Sequence, residues 1–253
     1  MRYEIISSGS QGNAVKLTFP NGITMMVDIG LSFKLLKPHL QDCNMVFISH
    51  VHGDHLNMGA YNQLRKNYPW IKVIGCAEVN DKVVSKKKKP LDYVVHNGST
   101  LEINGTHLTF LDAPHEVENL GIVGECQGQR FLYSTDLMTT YAFEEYLDMN
   151  DIQLDLLLLE ANYDANVIGF MEHLKLHTGY DVYGNGSYRH LSLQANEKFA
   201  EKYLKPDGFT EHLHQSGTYY SYDNLKNKLE LGDEYDEQYR KFVASKTSKR
   251  ELV

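Results

Sequence analysis

Residues 44–59 read NMVFISHVHGDHLNMG, an apolar run that ends abruptly in three histidines and an aspartate. A run of this kind is a strand buried on both faces, and imidazoles clustered at its end need water or a cation, so the junction belongs at a sheet edge where loops gather. His50 and His52 lie two apart and project the same way from an extended segment. Asp54 and His55 follow in the turn into a helix expected to begin near Leu56. Two imidazoles can hold one metal ion, while a carboxylate and a third imidazole face a second. Imidazole suits zinc, and carboxylate tolerates zinc, manganese or iron.

Strand-like runs recur through the first 135 residues: RYEIIS, NAVKLTF, ITMMVDIG, IKVIGC, HLTFLDA, GIVGECQ and RFLYSTD. Between them, LSFKLLKPHL and GAYNQLRKNY have helical spacing. Further on come the helix YAFEEYLDM, the continuous apolar strand LDLLLLEAN, the amphipathic helix LSLQANEKFAEKYL and a helical tail over 222–243 interrupted at Gly232. Strands interleaved with helices predict a layered α/β fold. Residues 1–253 are expected to form a single domain, with an irregular Gly- and Tyr-rich insertion at about 163–188, of a length more often functional than incidental.

Two more strand ends offer metal ligands: His115 after HLTFLDA and a Pro turn, and Asp136 after RFLYSTD. HEVEN begins like the helical metalloprotease motif H-E-x-x-H, but its fifth residue is Asn119, so that motif is absent. Cys43, Cys76 and Cys126 form no C-x-x-C pair, which argues against a thiolate zinc site or a disulfide framework. Acidic residues (33) outnumber basic ones (25), so extended nucleic acid is a less natural partner than a small ligand. The run Lys86–Lys89 is expected to be a solvated loop, contact with a phosphate or an acidic partner being the alternative. No stretch has the roughly 18 consecutive apolar residues of a membrane span, and MRYEIISSGS lacks the apolar core of a signal peptide. The expected location is the cytoplasm, or that of the host if the gene is phage-encoded.

H-x-H-x-D-H, a later His and a later Asp after strands, and a distal His together resemble the metallo-β-lactamase superfamily. The resemblance implies an α/β fold, a four-layer αβ/βα sandwich with two divalent ions at one edge of facing sheets. It implies His50, His52 and His115 on the first ion, Asp54, His55 and a late histidine on the second, and Asp136 bridging. SSGSQGNA and VDIGLS are similar to the phosphodiesterase branch, especially YycJ/WalJ-type exonucleases and ribonuclease Z. There Asp28 is a supporting acid rather than a ligand. In ribonuclease Z-like proteins one H-x-S segment before a helix supplies a non-ligand histidine and a second supplies the last ligand. RHLSLQ and EHLHQS match these, making His190 the candidate acid and His212 the ligand, with His214 as the alternative.

Two ions, Zn2+ first and Mn2+ second, would activate a water and neutralise phosphoryl charge. Asp54 would orient that water or take its proton, and His190 would protonate a leaving alkoxide. The acid favours phosphodiester over acyl hydrolysis. Tyrosines crowd the irregular segments, and Tyr180, Tyr183 and Tyr188 are candidates for stacking on a nucleobase. A compact acidic chain without an exosite arm resembles phage anti-Pycsar phosphodiesterases, which are homodimers. That likeness implies hydrolysis of 3',5'-cyclic mononucleotides to linear products and a homodimer. The alternative is a YycJ/WalJ-like DNA exonuclease; a non-catalytic nucleotide binder ranks third.

Overall fold

The computed structural model describes residues 1–176, 178 and 186–250, without the side chains of 247–250. The first half of the chain builds a six-stranded sheet in the order β1 (Arg2–Ser7), β2 (Ala14–Thr18), β3 (Thr24–Val27), β4 (Met45–Ile48), β5 (Lys72–Gly75) and β6 (Tyr93–Val94). Helices α1 (Phe33–Leu40), α2 (Met58–Asn67) and α3 (Ala77–Ser85) lie in its crossovers. The second sheet runs β12-β11-β10-β9-β8-β7, formed by β7 (Thr100–Ile103), β8 (Thr106–Asp112), β9 (Leu120–Cys126), β10 (Gln129–Ser134), β11 (Leu154–Glu160) and β12 (Leu204–Leu213). Helices α4 (Tyr141–Met149) and α6 (Leu193–Tyr203) cover it, giving the four-layer α/β sandwich.

The leucine run of β11 shows why the pattern is continuous rather than alternating. Leu156 and Leu158 join the core between the sheets, whereas Leu157 and Leu159 join the core beneath α4 and α6. Both faces of the strand are covered, so both need apolar side chains. Phe47 of β4 meets Phe110 of β8 across the inter-sheet core, ring centroids 5.2 Å apart.

Several elements differ from the sequence reading. The segment 163–188, expected to be irregular, contains α5 (Ala165–His173), which buries Val167, Ile168, Phe170 and Met171 at helical spacing behind an Asp164 cap. Helix α2 starts at Met58, two residues later than expected, because Asn57 accepts a hydrogen bond from the Ala60 amide at 3.0 Å and sets the first turn. Strand β12 contains Pro206 and Gly208, which argue against a strand; it is tolerated because β12 is an edge strand paired only to β11. The tail divides at Gly232 as expected, into α7 (Tyr222–Leu229) and α8 (Glu234–Arg250), the second helix running past the expected end at 243. Among the described residues no helix is long and apolar enough to cross a membrane.

Parallel pairing of β3 through β6, and of β10 through β12, sends the C-terminal ends of these strands to common edges. Asp28 follows β3, Ser49 and His50 follow β4, Asp136 closely follows β10, Glu160 ends β11, and His214 follows β12. The segment 47–57 is fastened to residues 28 and 29 by Asp28 N to Phe47 O (2.8 Å), Ile29 N to His55 O (2.9 Å) and Asn57 N to Ile29 O (3.2 Å). Asn13 closes the other side through its amide to Asp54 O at 2.7 Å. Gly30 sits where these chains touch, and a Cβ there would lie 1.6 Å from Asp54 O. Gly53, in the same loop, has open space around its Cβ position. Gly30→Ala is therefore expected to destabilise the fold by about 3 kcal/mol in urea denaturation, as overpacking against backbone does, while Gly53→Ala stays near neutral. Equal effects of the two would refute the packing argument.

Candidate metal centre

Four overlapping groups of histidines and carboxylates meet at this edge: His50, His52 and His115; Asp54, His55 and His214; His50, His55 and Asp136; and Asp136, Glu160, His190 and His214. Within each group the candidate ligand atoms lie within 4.8 Å of one another.

Asp28, fully buried, organises the first two groups. It accepts from the Ser49 amide (2.8 Å) and hydroxyl (2.9 Å) and from His55 Nδ1 (2.7 Å). With its proton given to Asp28, the Ser49 hydroxyl is the acceptor for His50 Nδ1 at 3.0 Å. That arrangement leaves His50 Nε2 unprotonated, 3.1 Å from His52 Nδ1. Burial, reinforced by the neighbouring His55, presses His50 well below the ordinary histidine pKa, so it is held neutral. Burial likewise lowers His115, whose Nδ1 is enclosed without a hydrogen bond.

His55 Nε2 accepts from Asn13 Nδ2 at 2.8 Å and stands 2.8 Å from Asp136 Oδ2. That last pair is not aligned for hydrogen bonding, and Asp136 Oδ2 is buried and unsatisfied. His214 repeats the pattern: Nδ1 donates to Glu160 Oε1 at 3.0 Å, while Nε2, buried and unsatisfied, faces Asp136 Oδ1 at 3.5 Å. Burial opposes charge on both rings, yet Asp28 and Asp136 raise His55 well above its usual value, and Asp136 and Glu160 raise His214 to about 9. Lone pairs converging on buried carboxylate oxygens repel one another unless a cation lies between them. Carboxylates that draw a proton to these imidazoles favour a divalent ion in its place. The donor set therefore fits divalent metal ions.

Glu160 is the residue that sequence reasoning missed, and its signal was a carboxylate closing an otherwise apolar run. Its Oε1 accepts from His190 Nδ1 (2.7 Å) and His214 Nδ1 (3.0 Å), and its Oε2 accepts from the amides of Leu137 (3.0 Å) and Leu191 (3.3 Å). Burial would raise its pKa, but the two imidazoles hold it below the usual carboxylate range. For His190 burial works against protonation and Glu160 outweighs it, so its pKa is raised. With Nδ1 held by Glu160, Nε2 is the atom left for proton transfer. His190 and His214 form part of the wall of a cavity of about 370 Å³, shared with Ser10, Asn162, Ser216 and Lys228.

The structure thus brings together His50, His52, Asp54, His55, His115 and Asp136, with His190 beside them at 3.7 Å from Asp136. It places His212 elsewhere, with Nδ1 against the Tyr220 hydroxyl at 3.0 Å, and supplies His214 to the cluster instead. The reason is local. Leu213 points into the inter-sheet core, so His212 faces the other way, and a left-handed turn at His214 (φ 53°) swings that side chain back to the carboxylates. Asp28 (φ 62°) and Asp136 (φ 55°) also occupy this sparsely populated region. Tyr180 and Tyr183 lie outside the described residues; Tyr188 is 38% exposed and meets Tyr163 edge-on at 5.5 Å.

Residues 26–185 match the family model described as "Beta-lactamase superfamily domain". No curated protein matches the chain by sequence. Among solved structures, the metallo-β-lactamase fold protein YhfI from Bacillus subtilis is similar with a TM-score of 0.65, at 16% identity over 90% of each chain. The short form of human tRNase Z follows at 0.60 and 16% identity, covering 85% of this chain and 93% of that one. A diphosphatase of the PhnP family gives 0.59 at 13% identity over 91% of each. The family match spans more than half of the chain, and the cluster it encloses fits divalent ions: the protein belongs to the metallo-β-lactamase superfamily and is a metal-dependent hydrolase.

Proposed function

We propose that the protein is a phosphodiesterase that opens 3',5'-cyclic mononucleotides. His50, His52 and His115 would hold one divalent ion; Asp54, His55 and His214 would hold a second, with Asp136 between them. Zinc suits this donor set best, and manganese is the alternative. Bound there, the ions supply Lewis acidity that lowers the pKa of water and offsets charge on phosphoryl oxygens.

The observation that carries the reading is His190, held by the buried Glu160 at Nδ1 and lining a cavity beside Asp136. Asp54 takes a proton from the attacking water as its oxygen bonds to phosphorus. The ester P–O bond breaks on the opposite side, and His190 Nε2 delivers a proton to the departing alkoxide. A positioned acid matters most for such a poor leaving group.

Substrate size favours a mononucleotide. The cavity of about 370 Å³ is at the small end of ligand sites. Lys86–Lys89 follow the end of α3 remote from the centre, because α3 starts just after β5 at the site edge and runs roughly 13 Å away from it. That basic run is therefore not placed to guide a long nucleic acid to the centre. A homodimer acting against bacterial cyclic-nucleotide signalling, in the cytoplasm of a host, is the biological setting of this proposal.

Metal-loaded protein offered 3',5'-cyclic CMP, UMP, AMP and GMP beside a 5'-phosphorylated DNA strand is expected to release linear mononucleotides and leave the DNA intact. Shortening of the DNA with no cyclic nucleotide opened would point to an exonuclease instead. Metal analysis is expected to find about two ions per chain, falling to about one in His214→Ala and unchanged in His212→Ala. Loss in the His212 variant alone would reverse the ligand assignment. His190→Ala is expected to keep its metal and to lose about 100-fold in turnover on alkoxide substrates. Much less should be lost on p-nitrophenyl esters; equal losses would remove His190 as the acid.

A further inference from the structure

The Arg189 guanidinium meets Glu116 Oε2 at 2.6 Å, and Glu116 Oε1 lies 3.5 Å from His52 Nε2. Each partner of this pair adjoins a residue of the centre: Glu116 follows His115, and Arg189 precedes His190. The pair therefore links the loop after β8 to the short 3-10 turn Ser187–Arg189. That turn is held by Arg189 N to Gly186 O (3.1 Å) and His190 N to Ser187 O (2.9 Å), so a shift of Arg189 carries the backbone of His190 with it. Inside the site His190 is held at Nδ1 by Glu160, and its ring stacks on His214 with centroids 5.1 Å apart. These contacts hold the ring from the interior side, and a restraint on the backbone that carries it limits the displacement of Nε2 from the mouth side.

We infer that Arg189 and Glu116 form an ion-paired clasp across the mouth of the centre, positioning His190 for proton delivery and orienting His52 through its Nε2. Arg189 and Glu116 are positioning residues in this scheme, and neither takes a proton from substrate. Their side chains are 31% and 43% exposed, and an ion pair this exposed adds little to folding stability. Its effect is expected in the chemistry, where misplacement of an acid by a fraction of an ångström is costly. The inference rests on the phosphodiesterase reading above.

The test compares two leaving groups in the metal-loaded protein: the alkoxide substrate that the wild type cleaves, and the p-nitrophenyl ester of the same mononucleotide. Arg189→Ala is expected to lower kcat about tenfold on the alkoxide substrate and less than about twofold on the p-nitrophenyl ester, which needs no acid. Arg189→Lys should recover most of the loss, since a lysine keeps the positive charge that pairs with Glu116. Glu116→Gln combined with Arg189→Ala should lose no more than Arg189→Ala alone on the alkoxide substrate. Independently of activity, the amides of Arg189 and His190 are expected to exchange hydrogen faster in Arg189→Ala, with metal content unchanged.

Equal losses on both leaving groups, a raised KM with kcat intact, or additive losses in the double variant would each overturn the clasp while leaving the phosphodiesterase reading in place. A wild type that hydrolyses neither substrate would overturn that reading and the inference with it.

Discussion

The H-x-H-x-D-H side of the metal centre depends on one buried carboxylate, Asp28. Among the described residues no lysine or arginine pairs with Asp28; it is met by the Ser49 amide and hydroxyl, by His55 Nδ1 and by the Tyr133 hydroxyl at 3.3 Å. A buried acid so arranged holds its neighbours' protons in place. By engaging Ser49 it sets which nitrogen of His50 is bare, and by engaging His55 it does the same there. Tyr133, fully buried against this acid, has its hydroxyl pushed well above the ordinary range by burial first and by the Asp28 charge second, so it stays a donor. The residue keeps its place through a left-handed backbone and the close approach of Gly30 to the following loop.

Glu160 does for the other side of the centre what Asp28 does for this one. It terminates β11, so its position is set by the core packing of that strand's five leucines, and it holds both His190 and His214 through one oxygen. The two acids stand on different sheets. Bringing them to one centre requires the sheets to pack face to face, and contacts such as Phe47 on Phe110 secure that packing. Function at the edge is thus tied to the apolar core between the layers, and a loosened core would spread the ligand groups before it unfolded the chain.

Much of the fold was legible because periodicity reports burial. Strands β1 to β5 of the first sheet, α4 and α6 follow from apolar spacing, and the division of the tail follows from Gly232. The short strands β6 and β7, the edge strand β12 with its Pro206, and helix α5 within a Gly- and Tyr-rich stretch were not legible, since neighbours elsewhere in the chain decide them. For the site, the compact H-x-H-x-D-H run and the strand-end positions of His115 and Asp136 were visible because few other roles suit such residues there. Glu160 was hidden among leucines.

The choice between His212 and His214 marks the boundary most sharply. The amino-acid sequence by itself determined that a histidine near the end of the chain would be at hand, and which residue types would gather at the strand ends. Only the tertiary structure decided which histidine arrives. Strand alternation turns His212 away with its ring against Tyr220, and the positive φ at His214 turns that side chain toward Asp136 and Glu160. A backbone angle favoured by the surrounding packing, rather than by the residue itself, is information that spacing and composition do not carry.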